Sequence, residues 1–293
     1  MLHLTYRLAA LATLAVAFTA SLTAQTAPAA PKLEFPAPSP AATVKQRVGI
    51  TDIEINYARP GAKGRAVFGG LVPYGKVWRT GANTATKIKF STAVNFGGTA
   101  IPAGTYELFS IPGEKEWTVI VHKDSSQWGA YAYDSKNDIA RITAKTVSLA
   151  TPIESLTIDL NDFRDESASL SIAWEKTRVS VKLTVDVVAT LVPQIEAVMA
   201  SDAAKKPYMN AAIFYLDNKL DLKKAAQWMD AAIAAQPDAF YLFYRKGLIL
   251  AAAGDKAGAR AAAEASLAAA QKAKGPIGEE YTGLNQKFLA SLK

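Results

Sequence analysis

Between residues 43 and 188 the apolar residues return at every second position. Ile53, Ile55 and Tyr57 alternate with Asp52, Glu54 and Asn56, a period that buries one face of a β-strand and wets the other. Lys87, Ile88, Lys89 and Phe90 alternate in the same way. So do Tyr106, Leu108 and Ser110 against Glu107, Phe109 and Ile111, then Trp117, Val119 and Val121, and finally Val179, Val181, Leu183 and Val185. Turn formers punctuate these runs at Gly97 and Gly98, at Pro102 to Gly104, and at Pro112 and Gly113. Short strands with no amphipathic helix between them predict an antiparallel sandwich or barrel. The expected fold is a mainly β N-terminal domain, an antiparallel β-sandwich over residues 42–190.

After Pro193 the pattern turns to alanine-rich helix, predicting an all-α helical-repeat domain over residues 194–293. Asp221 and Asp255 lie 34 residues apart, as do Leu216 with Leu250 and Ala225 with Ala259. Each aspartate follows a chain break and is placed to cap the next helix. A period of 34 residues is the tetratricopeptide spacing. The match is partial, because Ile213 stands where a small residue is usual and the signature tryptophan is missing. An alanine-rich helical hairpin of no particular family is the alternative. A last helix is expected near residues 277–292.

The N-terminus has a third pattern. Arg7 precedes an uncharged apolar run over residues 8–22, followed by Thr23 and Ala24. This is the layout of a secretory signal peptide, assigned to residues 1–24. The run is shorter than a spanning helix needs. Residues 25–41 carry Pro28, Pro31, Pro36, Pro38 and Pro40 among alanines, which predicts an extended tether. The expected location is exported, periplasmic or extracellular, with no transmembrane segment in the mature chain.

Composition then narrows the chemistry. The chain has no cysteine and two histidines, of which His3 falls in the predicted signal. That leaves His122, so zinc sites built on histidine or thiolate are excluded, as is cysteine nucleophilic chemistry. No Gly-x-Ser-x-Gly elbow presents a serine to His122. Gly64 and Gly69 are spaced as in a P-loop, but Gly70 and Leu71 replace the lysine and hydroxyl that should follow. No cofactor is expected. The acids Glu114 and Glu116, Asp134 and Asp138, and Asp165 and Glu166 could pair as a glycosidase requires, although each set falls in a polar, turn-like segment.

The formal net charge is +7, and one segment accounts for it. From residue 55 to residue 106 there is no Asp or Glu, while Arg59, Lys63, Arg65, Lys76, Arg79, Lys87 and Lys89 fall inside. Glycines and aromatics are interleaved with these cations. Arginine forks suit carboxylate, phosphate or sulfate, and Tyr74, Trp78 and Trp128 could stack on a ring or sugar. The candidate ligand site is therefore Arg59, Lys63, Arg65, Tyr74, Trp78, Arg79, Asn83 and Trp128. The competing reading puts the tryptophans in the core and pairs the arginines with Glu107, Asp124 or Asp134. Nucleic acid is not an expected partner, because the cations are spread over loops and no nucleic-acid motif is present.

The same residues carry a resemblance. Gln46 to Gly49, Tyr57 to Pro60, Lys63 to Arg65 with Phe68 and Gly69, and above all residues 71–83 resemble a bacterial domain of unknown function, family 2911. Ile101 to Tyr106, Phe109 to Pro112, Glu116 to Thr118 and Gln127 to Gly129 follow in order. The resemblance spans about residues 38–188 and implies export and a modular context, sometimes with a helical-repeat tail. It implies no reaction. One position departs from the pattern: Thr84 stands where the family commonly has an acid.

Three functions are expected in turn. The first is an exported, non-catalytic binding or interaction module for a small anionic or carbohydrate ligand, or for a protein partner at the helical repeats. The second is an envelope-associated hydrolase using carboxylates or His122. The third is a purely structural scaffold.

Overall fold

In a computed structural model the described residues are Leu33, 35–123 and 126–292. The predicted signal segment and most of the tether lie outside them, as does Asp124. Among the described residues ten strands come first: β1 (Ala41–Val48), β2 (Thr51–Ala58), β3 (Thr86–Phe90), β4 (Val94–Phe96), β5 (Thr99–Ile101), β6 (Gly104–Ile111), β7 (Glu116–His122), β8 (Asp138–Lys145), β9 (Val147–Arg164) and β10 (Ser167–Thr184). Six helices follow: α1 (Val187–Ala200), α2 (Tyr208–Asp217), α3 (Leu222–Ala235), α4 (Phe240–Ala252), α5 (Lys256–Lys272) and α6 (Pro276–Ser291).

The strands form two antiparallel sheets, ordered β1-β2-β3-β6-β7-β8 and β5-β4-β10-β9. Ile53, Ile55, Ile88, Leu108, Val119 and Val121 from the first meet Phe96, Ile158, Leu170, Ile172, Val181 and Leu183 from the second in one core. The predicted sandwich is therefore present, and its alternating residues supply that core. Trp117 and Trp174 are buried at one end of it, with Phe68 and Trp78 packed against them.

Gly97 and Gly98 close the β4–β5 hairpin, with φ of 58° and 92°. Positive φ at both central residues is what a two-residue turn needs to match strand twist. The two glycines differ in surroundings. A Cβ at Gly97 would lie 2.5 Å from Ile142 Cγ2, whereas one at Gly98 meets nothing within 4 Å. Gly97→Ala should therefore lose about 2 kcal/mol to backbone strain plus collision, and Gly98→Ala roughly half that from strain alone. Paired denaturant melts check the ranking. Equal losses at the two sites would mean that the contact with Ile142 is unimportant.

The helical region begins at Val187, ahead of the expected residue 194. Asp186 accepts a hydrogen bond from Ala189 N and caps α1, and Pro193 is carried inside that helix. Proline in a helix interior forfeits one backbone hydrogen bond, so it reads as a breaker in the sequence without being one here. Asp221 caps α3 through Lys223 N and Lys224 N, and Asp255 caps α5 through Gly258 N. These are the two caps expected from the spacing. Glu196 of α1 bridges to Lys224 of α3 at 2.7 Å and accepts from Tyr215 Oη of α2 at 2.6 Å, tying three helices together. Both donors hold the Glu196 carboxyl below its ordinary range. Asn285 of α6 donates to Ser266 Oγ of α5, which donates to the Phe240 carbonyl at the start of α4.

Candidate functional site

The long connection between β2 and β3, residues 59–85, runs past the β6–β7 turn and is held there by main-chain bonds. Trp78 N donates to Ser110 O, Ser110 N donates back to Trp78 O, and Gly75 N donates to Pro112 O. Alternation along this anchored segment sends Trp78 inward. Its indole stacks on Trp174 at 6.1 Å and 21°, meets Trp117 edge-on, and donates Nε1–H to Gly81 O.

Thr80 is fully buried with φ of 50°, a left-handed conformation that is rare for a β-branched residue. Three bonds fix it: Thr80 Oγ1 pairs with Ser110 Oγ at 2.9 Å, Thr86 Oγ1 donates to Thr80 O, and Thr86 N donates to Arg79 O. Strain of this kind persists only where the surroundings over-determine it. Here it fixes the backbone on either side of the Arg79 side chain.

Arg79 lines a cleft of about 310 Å³ with Arg65, Lys76, Pro73, Trp78 and Trp174. Three cations and no acid border it among the described residues. The Arg79 guanidinium is half-buried, its Nε is buried with no hydrogen-bond partner, and no ion pair reaches it among the described residues. Buried polar groups are nearly always hydrogen-bonded, so one without a partner requires an explanation. A wider groove of about 1320 Å³ lies beside the β9–β10 turn, α1 and α2. Its lining sets Arg164 and Lys182 among Asp165, Glu166, Asp186 and Asp217, so it has no cationic excess.

The predicted site residues separate into three groups. Arg65, Trp78 and Arg79 meet at the cleft. Arg65 spends two donors on Ala62 O and Gly61 O, and the Trp78 ring belongs mainly to the core. The Arg59 side chain turns toward β9, whereas Lys63 is tied there through its backbone alone. The first donates to Leu156 O and Thr157 Oγ1, and the second is exposed with its backbone N on Glu154 Oε1. Tyr74, Asn83 and Trp128 are exposed, Asn83 in a left-handed turn. Thr84 is exposed and bridges main chain to main chain with Trp128.

The residues weighed for catalysis lie elsewhere. His122 is fully buried under the loop 126–134; its Nε2 sits 3.1 Å from Asp134 O and its Nδ1 3.4 Å from Gln127 Nε2, with Phe109 and Tyr133 packed on the ring. Asp134 caps a short turn through Lys136 N, and Asp138 accepts from Arg141 and from Tyr133 Oη. Burial, with the Asp138 hydrogen bond, pushes the Tyr133 hydroxyl up to about 12. Glu114, Asp165 and Glu166 are exposed in turns, and Glu116 is exposed at the start of β7. Among the described residues no three His, Asp or Glu side chains gather as a metal site would need.

Two features have weak signals in the sequence. Lys76 reaches the cleft from a segment already marked as basic. Tyr131, 86% exposed, stands three residues after Trp128 in the loop. Its one hint in the sequence is the run of aromatics from Trp128 to Tyr133.

Residues 39–183 match the model of DUF2911, a family described as protein of unknown function. This is the family the sequence resembles, over nearly the same stretch of the β-domain. Neither a curated protein nor a solved structure matches the chain.

Proposed function

We propose that the β-domain is a non-catalytic binding module that receives an anionic ligand at the Arg79 cleft. The observation that carries the reading is the Arg79 guanidinium, held by a strained backbone, its buried Nε without an acceptor among the described residues. Its Nε–H has lost water without gaining a partner, and a bound carboxylate, phosphate or sulfate would give the guanidinium the acceptors it lacks. Arg65 and Lys76 add charge of the same sign at the rim. The hydrolase alternative has less support, because His122 has no surface open to a substrate and the acids are spread over separate turns and strand starts. The chain is read as exported on the strength of its N-terminal sequence alone.

The helical region is read as two tetratricopeptide-like units, α2 with α3 and α4 with α5, closed by α6. Its support is the 34-residue spacing of the Asp221 and Asp255 caps, together with the packing of each helix on the next. Stacked helix pairs of this kind offer an extended surface to a partner protein.

Thermal-shift measurements against sulfate, phosphate and simple carboxylates test the cleft. A ligand at a hundred times its Kd should stabilise the protein by about 2.7 kcal/mol. Arg79→Ala should abolish that gain while leaving the stability of the unliganded protein unchanged or slightly raised, since it removes an unpaired buried donor. An Arg79→Ala protein that is markedly destabilised without ligand would show that the guanidinium has a structural partner and would end this reading.

A further inference from the structure

The loop between β7 and β8 displays two aromatic rings that the fold does not use. Trp128 leaves 64% of its surface in water and Tyr131 86%. The small core beneath the loop is filled by Phe109, Ile120 and Ala85, with Tyr133 and Val77 packed against them. The loop backbone is nevertheless fixed. Gln127 N donates to the buried Glu107 carboxyl at 2.7 Å, Ala85 N donates to Gln127 O, and Trp128 bridges Thr84. Large aromatics presented on a fixed backbone, outside any core, mark a contact surface.

That surface adjoins the anion cleft at Gly129, whose φ is 72°. A Cβ there would stand 2.7 Å from Tyr131 Cε2 and 3.5 Å from Arg79 Nη1. The Tyr131 ring and the Arg79 guanidinium therefore close on the same glycine. A ligand held by Arg79 has aromatic surface immediately beside it.

We infer that Trp128 and Tyr131 form a stacking face for a sugar ring, and that the ligand is an acidic oligosaccharide with a carboxylate on Arg79 and a neighbouring neutral ring across the aromatics. The inference rests on the reading of Arg79 as an anion site. A pyranose has an apolar C–H face and a polar rim. An open aromatic surface covers the face and leaves the hydroxyls in water, which suits rings this exposed. A nucleic-acid strand fits less well. It carries a phosphate at every nucleotide and needs cations beside the stacked bases, and residues 126–134 contain no Lys or Arg.

The test is calorimetric titration of the full chain with two acidic oligosaccharides: N-acetylglucosamine joined to N-acetylmuramic acid, and xylotriose bearing one glucuronate. Xylotriose, free glucuronate, sulfate and a short oligothymidylate run beside them. Of the five tryptophans, Trp128 alone is largely exposed among the described residues, so protection from acrylamide quenching reports on it. At least one acidic oligosaccharide should bind more tightly than xylotriose or glucuronate and shield tryptophan. Trp128→Ala or Tyr131→Ala should weaken it about tenfold or more with an unchanged melting temperature. Which of the two binds tells an amino-sugar source from a uronate-bearing one. Binding that needs Arg79 but ignores both aromatic variants overturns the saccharide face and leaves the anion site standing. Sulfate binding without binding of either oligosaccharide does the same. Silence from every probe, sulfate included, removes both readings. Oligothymidylate binding that is tighter than the saccharides and equally dependent on Trp128 makes the face a nucleic-acid site and overturns the inference.

Discussion

Trp174→Ala should lower the stability of the β-domain by about 3–5 kcal/mol, the range for deleting a buried large aromatic. Trp174 is 1% exposed and stacks on Trp78; Phe68 meets it edge-on, and its Nε1–H donates to Glu154 O at 3.0 Å. Truncation removes the transfer free energy of the indole and leaves a cavity. The Glu154 carbonyl loses one donor but keeps Ala62 N at 2.8 Å, so it is not left unpaired. Trp174→Phe keeps an aromatic floor and should lose less than half as much. Urea melts of the three proteins, fitted with a common slope, give the comparison. Because Trp174 also lines the Arg79 cleft, the alanine variant should bind anions more weakly in proportion to its disorder. A loss below about 1 kcal/mol would mean that the four-ring cluster is not the keystone of this end of the sandwich.

Glu107→Ala is the second large effect, expected at about 3 kcal/mol. The residue is fully buried on the outer side of β6, opposite His122 on β7, and accepts from Gln127 N at 2.7 Å. Removing the carboxyl leaves a buried N–H without its acceptor, which costs roughly 1–3 kcal/mol, and opens a cavity worth about 1 to 2 more. The local consequence is the more informative one. Gln127 begins the loop that covers His122 and carries Trp128 and Tyr131, so hydrogen exchange should rise across residues 126–134 before it rises in the strands. Glu107→Gln retains an acceptor and should preserve the protection. Uniform exchange across the sheet in the alanine variant would place the role of Glu107 in the core as a whole rather than in this loop.

The sequence by itself determined five of the ten strands among the described residues, and two helix starts. Alternation at residues 53–57, 87–90, 106–111, 117–121 and 179–185 fixed five strands, because a strand with one face against a core must repeat every two residues. The aspartates at 221 and 255 marked helix starts, because a side-chain oxygen before a helix satisfies its open N–H groups. The basic character of residues 55–106 pointed to the stretch that holds the cleft.

Tertiary structure decided what these patterns could not express. Glu107 and His122 lie on the face of the first sheet away from the main core, with Phe109 and Ile120, and all four are buried, because the loops at 77–85 and 126–134 lie over that face. Local periodicity carries no information about a covering loop. Trp78 and Arg79 are adjacent in the chain, but packing on Trp174 draws one into the core while the strained Thr80 backbone sets the other at the cleft. Arg59 bears the same charge as Arg79 and is turned toward β9 by acceptors far along the chain, at Leu156 and Thr157, while the Lys63 side chain stays exposed. Charge along a chain is a local property, whereas whether a cation finds an internal acceptor depends on which distant backbone the fold brings to it. That difference separates Arg79 from Arg59 and Arg65, whose guanidinium groups are bonded internally.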